Sequence, residues 1–140
     1  MQGGRPGSPV ETLFASLSRF RQAWPKRGWS WDTRLSCVAS SFGVDLVQEA
    51  RSTVKIALPT EYMQATLRGA PPAIREIAEQ TGGLRPDQIL MCSEPNMIGF
   101  AYGLWWPWGD DTTISLRIGL TGRALSIEMP RFREIFGAGD

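Results

Sequence analysis

Hydrophobic positions first recur along this chain at helical spacing. Val10, Leu13, Phe14, Leu17, Phe20 and Trp24 form one stripe, while Arg19, Arg21 and Gln22 fall away from its middle. Ser8-Pro9-Val10-Glu11 opens the stripe as a capping box with proline at the first helical position, and Pro25 closes it. After the connection Lys26–Trp31, Leu35, Val38, Ala39 and Phe42 predict a second helix, with Asp32 as its cap and Gly43 as its stop. Val44–Val47 suits a short strand. Thr53–Leu58 suits a better one, with Val54, Ile56 and Leu58 on one face. Pro59-Thr60-Glu61 opens a further helix capped by Thr60, which Gly69 and Pro71-Pro72 interrupt. Another helix carries Ile74, Ile77 and Ala78 as far as Gly82-Gly83.

The remaining chain alternates with period two. Gln88–Cys92 is an apolar strand. Ile98, Phe100, Tyr102, Leu104 and Trp106 make one large face, and Gly99, Ala101, Gly103 and Trp105 make a mostly bare one that lets another element approach closely. Pro107–Asp111 is a turn. Ile114, Leu116, Ile118 and Leu120 then alternate with Thr113, Ser115, Arg117 and Gly119. Thr121–Arg123 turns again, Leu125, Ile127 and Met129 predict a third strand, and Pro130 starts a short helix before Gly137. The pattern predicts an α+β fold: a mainly antiparallel sheet with a C-terminal three-stranded meander and helices packed on one face. Residues 1–7 read as a flexible tail and 8–140 as one domain.

Composition narrows the chemistry. The 140 residues contain no histidine, which removes Ser-His and Cys-His nucleophile pairs, histidine zinc sites and a histidine pH switch. Cys37 and Cys92 lie far apart, each in an apolar run, and read as buried reduced thiols. There is no P-loop, no G-x-S-x-G elbow and no dinucleotide fingerprint. No metal or cofactor is expected. The opening residues lack the apolar core of a signal peptide, and no apolar run reaches the roughly 20 residues of a membrane span, so the expectation is a cytoplasmic protein with no membrane partner.

Charge is balanced overall at +1 but unevenly placed. Residues 1–35 carry Arg5, Arg19, Arg21, Lys26, Arg27 and Arg34 against Glu11 and Asp32, a net of +4; the rest is net −3. Only Lys26 and Lys55 are lysines, a bias toward arginine that GC-rich coding also produces.

Three candidate surfaces follow. Trp105, Trp106 and Trp108 surround one turn, and tryptophan is rich in binding hot spots. The leading expectation is a non-catalytic interaction or regulatory domain that binds a protein partner through them; the edge strand in which the meander must end also offers self-association. The competing reading packs Trp106 on the core face, Trp105 under a helix and Trp108 over the turn. The second candidate is single-stranded nucleic-acid binding through Arg19, Arg21, Lys26, Arg27 and Trp29, where cations grip phosphates and an indole stacks. The third is a carboxylate-dependent enzyme using Glu94, Asp110 or Asp111, although adjacent aspartates in a hairpin are commonly turn formers.

Residues from about Trp24 to Met91 show a helix, the segment Thr53-Val54-Lys55-Ile56-Ala57-Leu58-Pro59-Thr60-Glu61-Tyr62, two short helices and a strand. This order resembles the KH-like amino-terminal domain of the bacterial initiator DnaA and the carboxy-terminal domain of the clamp-loader tau subunit. The resemblance implies protein binding. It covers about half the chain, leaves the Met97–Met129 region without a counterpart and transfers no functional residue.

Overall fold

Six strands pair antiparallel throughout to form one sheet, with the spatial order β1-β2-β6-β5-β4-β3. The computed structural model describes residues 8–95 and 99–138. In chain order the elements are α1 (Pro9–Ala23), β1 (Ser30–Asp32), β2 (Cys37–Gly43), α2 (Val47–Val54), β3 (Thr60–Tyr62), α3 (Pro72–Gln80), β4 (Ile89–Cys92), β5 (Phe100–Pro107), β6 (Thr113–Thr121), α4 (Arg123–Ser126) and α5 (Met129–Phe136). The α+β expectation and its antiparallel sheet hold; the three-stranded meander is β4-β5-β6, with β4 in the place expected for Leu125–Met129, and α3 packs on the sheet face opposite the other helices. The tail expected at residues 1–7 lies outside the described residues.

The main core lies between one sheet face and the helices α1, α2, α4 and α5. It joins Leu17, Phe20 and Trp24 to Val38, Phe42, Trp105 and Leu116 of the sheet and to Phe132 and Phe136. A smaller core covers part of the opposite face, where Ile74, Ile77 and Ala78 of α3 meet Leu90, Phe100, Tyr102 and Leu104. The bare side of β5 lets another element approach closely, as the sequence predicts, but it is this side that faces the main core, while the large side ending in Trp106 meets the smaller one. A Cβ on Gly103 would stand 2.8 Å from Leu58 Cδ1, so glycine there admits the turn that follows α2.

Helix α1 forms as its stripe dictates, and its last residue before Pro25 turns extended. The capping box does not form. Ser8 makes no side-chain cap bond, and the Glu11 carboxylate instead takes two hydrogen bonds from Arg131 of α5, at 2.9 and 2.8 Å.

Between residues 32 and 62 the structure corrects the sequence reading. The predicted helix from Asp32 to Phe42 is the β1–β2 hairpin. Asp32 Oδ1 accepts from the backbone N–H groups of Arg34 (2.9 Å) and Leu35 (3.2 Å), and Ser36 closes the turn at φ 53°. An aspartate capping a helix and one starting an Asx turn make the same local bonds, so the cap signal was ambiguous. Val38, Ser40 and Phe42 then face inward with period two, and β2 pairs with β6 from Val38↔Ile118 to Gly43↔Thr113.

The strands predicted at Val44–Val47 and Thr53–Leu58 are a 3-10 turn and helix α2 with its trailing turns. Ala50, Thr53, Val54, Ala57 and Leu58 are all buried, and this helical stripe prevails over the Val54-Ile56-Leu58 alternation; Ile56 is exposed. The helix expected from Thr60 is strand β3. With its first strand replaced by helix, the β-α-α-β order behind the resemblance is not what this chain folds into.

The strand expected at Leu125–Met129 is also helical. Ile127 is 78% exposed, whereas Leu125, Phe132 and Phe136 are buried with Met129 packed beside them, at i, i+4, i+7 and i+11. Helix α5 stops as predicted at Gly137, which is left-handed at φ 61°. Among the described residues, no helix is long and apolar enough to cross a membrane.

One buried polar bond ties α1 to the sheet: the Trp24 indole N–H donates to Ser40 Oγ at 3.0 Å. Ser40→Ala strands that N–H in the core, with an expected cost of about 1–3 kcal/mol in urea unfolding. A loss well under 1 kcal/mol would show that the bond does not hold the helix to the sheet.

Candidate functional site

The three tryptophans near the β5–β6 turn have separate fates. Trp105 is 3% exposed and packs its ring on Phe42 at 5.4 Å. It is therefore a core residue, which corrects its assignment to a partner-binding surface: period-two alternation sends it to the main-core face. Trp106 points to the opposite face and is half-buried, with the Arg117 guanidinium 5.0 Å from its ring centroid. Its indole N–H is buried and has no hydrogen-bond partner among the described residues. Trp108 is 49% exposed.

The turn carrying Trp108 is braced. Asp110 Oδ1 accepts from the backbone N–H groups of Thr112 (2.9 Å) and Thr113 (3.1 Å), and Asp110 Oδ2 accepts from the Thr113 hydroxyl (3.2 Å). The Trp108 N–H donates to the Thr113 carbonyl at 2.8 Å. The Thr112 N–H bond heads the causes that hold the Asp110 carboxyl below its usual range. Val44, also exposed, donates its N–H to the Thr112 carbonyl at 3.0 Å and so stands beside the same turn.

The carboxylates of the third reading are not brought together. Ser93 N–H bonds the Ala101 carbonyl, which places Glu94 beyond one end of β5, while Asp110 and Asp111 lie past Pro107 at the other. About 20 Å of strand separates the two ends. Among the described residues, no three potential ligands of the His, Cys, Asp or Glu types converge as a metal site.

The amino-terminal basic residues split in the same way. Arg19 and Arg21 are two positions apart on α1, hence about 200° apart around it. Arg19 lines a groove with Ile56 and Glu94. Arg21 joins Gln22, Lys26 and Arg27 around a recess of about 390 Å³ with Trp24 and Trp29 at its wall. Trp29 is 7% exposed and packs on Phe20, Trp24 and Phe136 at 5.8, 5.4 and 4.9 Å. It cannot stack on a base without opening the core, which corrects its place in the nucleic-acid reading. Sequence order groups these cations, but only the helix phase and the loop separate Arg19 from the other three and add Gln22.

One further constellation escaped the sequence reading. Asp32 of β1 accepts from Arg117 Nε at 3.2 Å across β2, and Arg117 also donates to Ser115. The relevant signal, a lone arginine on the polar side of β6, names no partner until the hairpin is known. Burial alone would raise the Asp32 carboxyl, but the N–H groups of Leu35, Arg117 and Arg34 together hold it below its usual range. Comparison with protein-family models, with curated proteins and with solved structures gives no match for this chain.

Two outcomes follow. Because the folded carboxyl of Asp32 titrates below its unfolded value, its contribution is complete above about pH 4 and is lost as pH falls further. Asp32→Asn should cost about 1 kcal/mol at pH 7, and urea midpoints of the two proteins should converge toward pH 2; a gap that persists there would remove the charge argument. Burial also pushes the thiols of Cys37 and Cys92 up to about 12. Both are free and buried, so the native chain should leave a chromogenic disulfide reagent unreacted at pH 8 until denaturant exposes both thiols.

Proposed function

We propose that this chain is a non-catalytic interaction module that docks a protein partner through the β5–β6 turn, with Trp108 as the anchor. The observation that carries this reading is a half-exposed indole on a turn held by four hydrogen bonds. A rigid aromatic anchor loses little side-chain freedom on binding, the usual basis of an interface hot spot. Val44 extends the apolar surface, and the exposed carboxylates Asp45, Asp110 and Asp111 stand on the same segments. That combination favours a partner with an apolar pocket rimmed by lysine or arginine. Trp106 contributes less, because Arg117 covers its ring.

Trp108→Ala should leave the melting temperature within a few degrees of the parent and lower acrylamide quenching of the remaining fluorescence. It should weaken cross-linked capture of the partner by about 2 kcal/mol or more, roughly 30-fold in Kd. Sedimentation of both proteins separates a foreign partner from a second copy. Unchanged capture, or a variant that unfolds, would overturn the assignment of Trp108.

A further inference from the structure

We infer that the recess between the end of α1 and β1 binds the phosphate end of a small phosphorylated molecule, held by Arg21, Lys26 and Arg27. This site is separate from the Trp108 turn and does not rest on the reading given for it.

Three observations converge. First, these three cations share one recess of about 390 Å³ with Gln22, and among the described residues no acidic side chain lines it. Second, none of the three forms an ion pair with a carboxylate among the described residues. The reason lies in the fold. Residues 1–35 contain two acids, Glu11 and Asp32, and each is engaged by an arginine from the far end of the chain, Arg131 or Arg117. The local cations are thereby left without their sequence neighbours' charge. Third, the loop is held at both ends by buried indoles. Trp24 and Trp29 are in ring contact at 5.4 Å, so Lys26, Arg27 and Gly28 stand outward between fixed posts.

Charge magnitude selects the ligand. Arg21 lies in the last turn of α1, whose carbonyl end carries about −0.5 of a charge. Three formal positive charges therefore keep a surplus of about +2.5. A phosphomonoester brings about −1.5 to −2 and three acceptor oxygens, whereas a single carboxylate brings −1. Arginine adds a planar fork that matches phosphate oxygens in pairs. A recess of this volume suits a small molecule. A nucleic-acid polymer would want exposed stacking rings, and Trp24 and Trp29 are both buried.

The test is a titration of the full chain with inorganic phosphate and pyrophosphate at 0.15 M salt, read by indole fluorescence and by melting temperature. Trp24 and Trp29 line the recess, so occupancy should change the emission. Saturable binding is expected, tighter for pyrophosphate, and at least tenfold weaker in Lys26→Gln/Arg27→Gln and in Arg21→Gln. All three side chains are exposed, so these variants should melt as the parent does. Trp108→Ala should bind pyrophosphate unchanged. The proposal is overturned by an absence of saturation up to 10 mM pyrophosphate. A response matched by sodium chloride at equal ionic strength, or affinity retained in both glutamine variants, would also overturn it. Oligothymidylate that binds more tightly than pyrophosphate and gains affinity with length would replace the small ligand by a polymer.

Discussion

A relay of aromatic rings carries the packing of this molecule from its last helix to its sheet. Phe136 of α5 meets Trp29 at 4.9 Å and Phe20 of α1 at 6.0 Å. Phe20 meets Trp24 at 5.2 Å, Trp24 meets Phe42 of β2 edge-on at 5.3 Å, and Phe42 meets Trp105 of β5. Tilted and edge-to-face contacts of this kind add about 0.5–1.5 kcal/mol each beyond the area they bury. The relay joins segments more than a hundred residues apart, so α1 and α5 cannot settle independently of the strands. Arg131 reinforces the same junction, lying 4.4 Å from the Phe14 ring centroid while it pairs with Glu11.

The same rings decide which surface is left over. An indole drawn into the core fixes the backbone on either side of it, so the neighbouring residues are presented in one arrangement. Burial of Trp24 and Trp29 does this for Lys26 and Arg27; burial of Trp105, with Arg117 lying over Trp106, does it for Trp108. Both surfaces are preorganised by a hydrophobic interaction behind them, which lowers the ordering cost of any binding event. The distribution of tryptophan in the sequence thus reports the framework first and the exposed surface only second.

Much of the framework was legible because its signals were redundant. Helix α1 had a long stripe and a terminating proline. Strands β5 and β6 alternated for eight and nine residues around a Pro-Trp-Gly-Asp-Asp turn. Helix α5 combined an opening proline with a closing glycine, and α3 combined a three-residue apolar stripe with the Gly82-Gly83 stop. The middle of the chain offered two periods at once. Leu35, Val38, Ala39 and Phe42 fit a helix, yet pairing of β2 with β6 buries Val38, Ser40 and Phe42 instead. Val54, Ile56 and Leu58 fit a strand, yet Ala50, Val54, Ala57 and Leu58 bury more side chains as a helix and its turns. In both places a partner distant in sequence chooses between patterns that are locally comparable. The candidate sites were less legible for the same reason: alternation separated Trp105 from Trp106 but could not say that Arg117 would cover the second.

Charge placement follows from topology in the same way. Arg51 holds Glu61 between α2 and β3 with hydrogen bonds of 3.1 and 2.8 Å, Arg117 holds Asp32 across the sheet, and Arg131 holds Glu11 across two helices. Each pair joins separate elements rather than neighbours on one helix. Pairs at or near the surface, two of these partly buried and one exposed, contribute about 1 kcal/mol or less each, so their larger effect is on where uncompensated charge remains. The two acids of residues 1–35, Glu11 and Asp32, are drawn toward carboxy-terminal arginines. A chain of net charge +1 thereby keeps a local excess of positive charge beside two buried indoles. The sequence total conceals that excess, because it averages over pairings that only the fold creates.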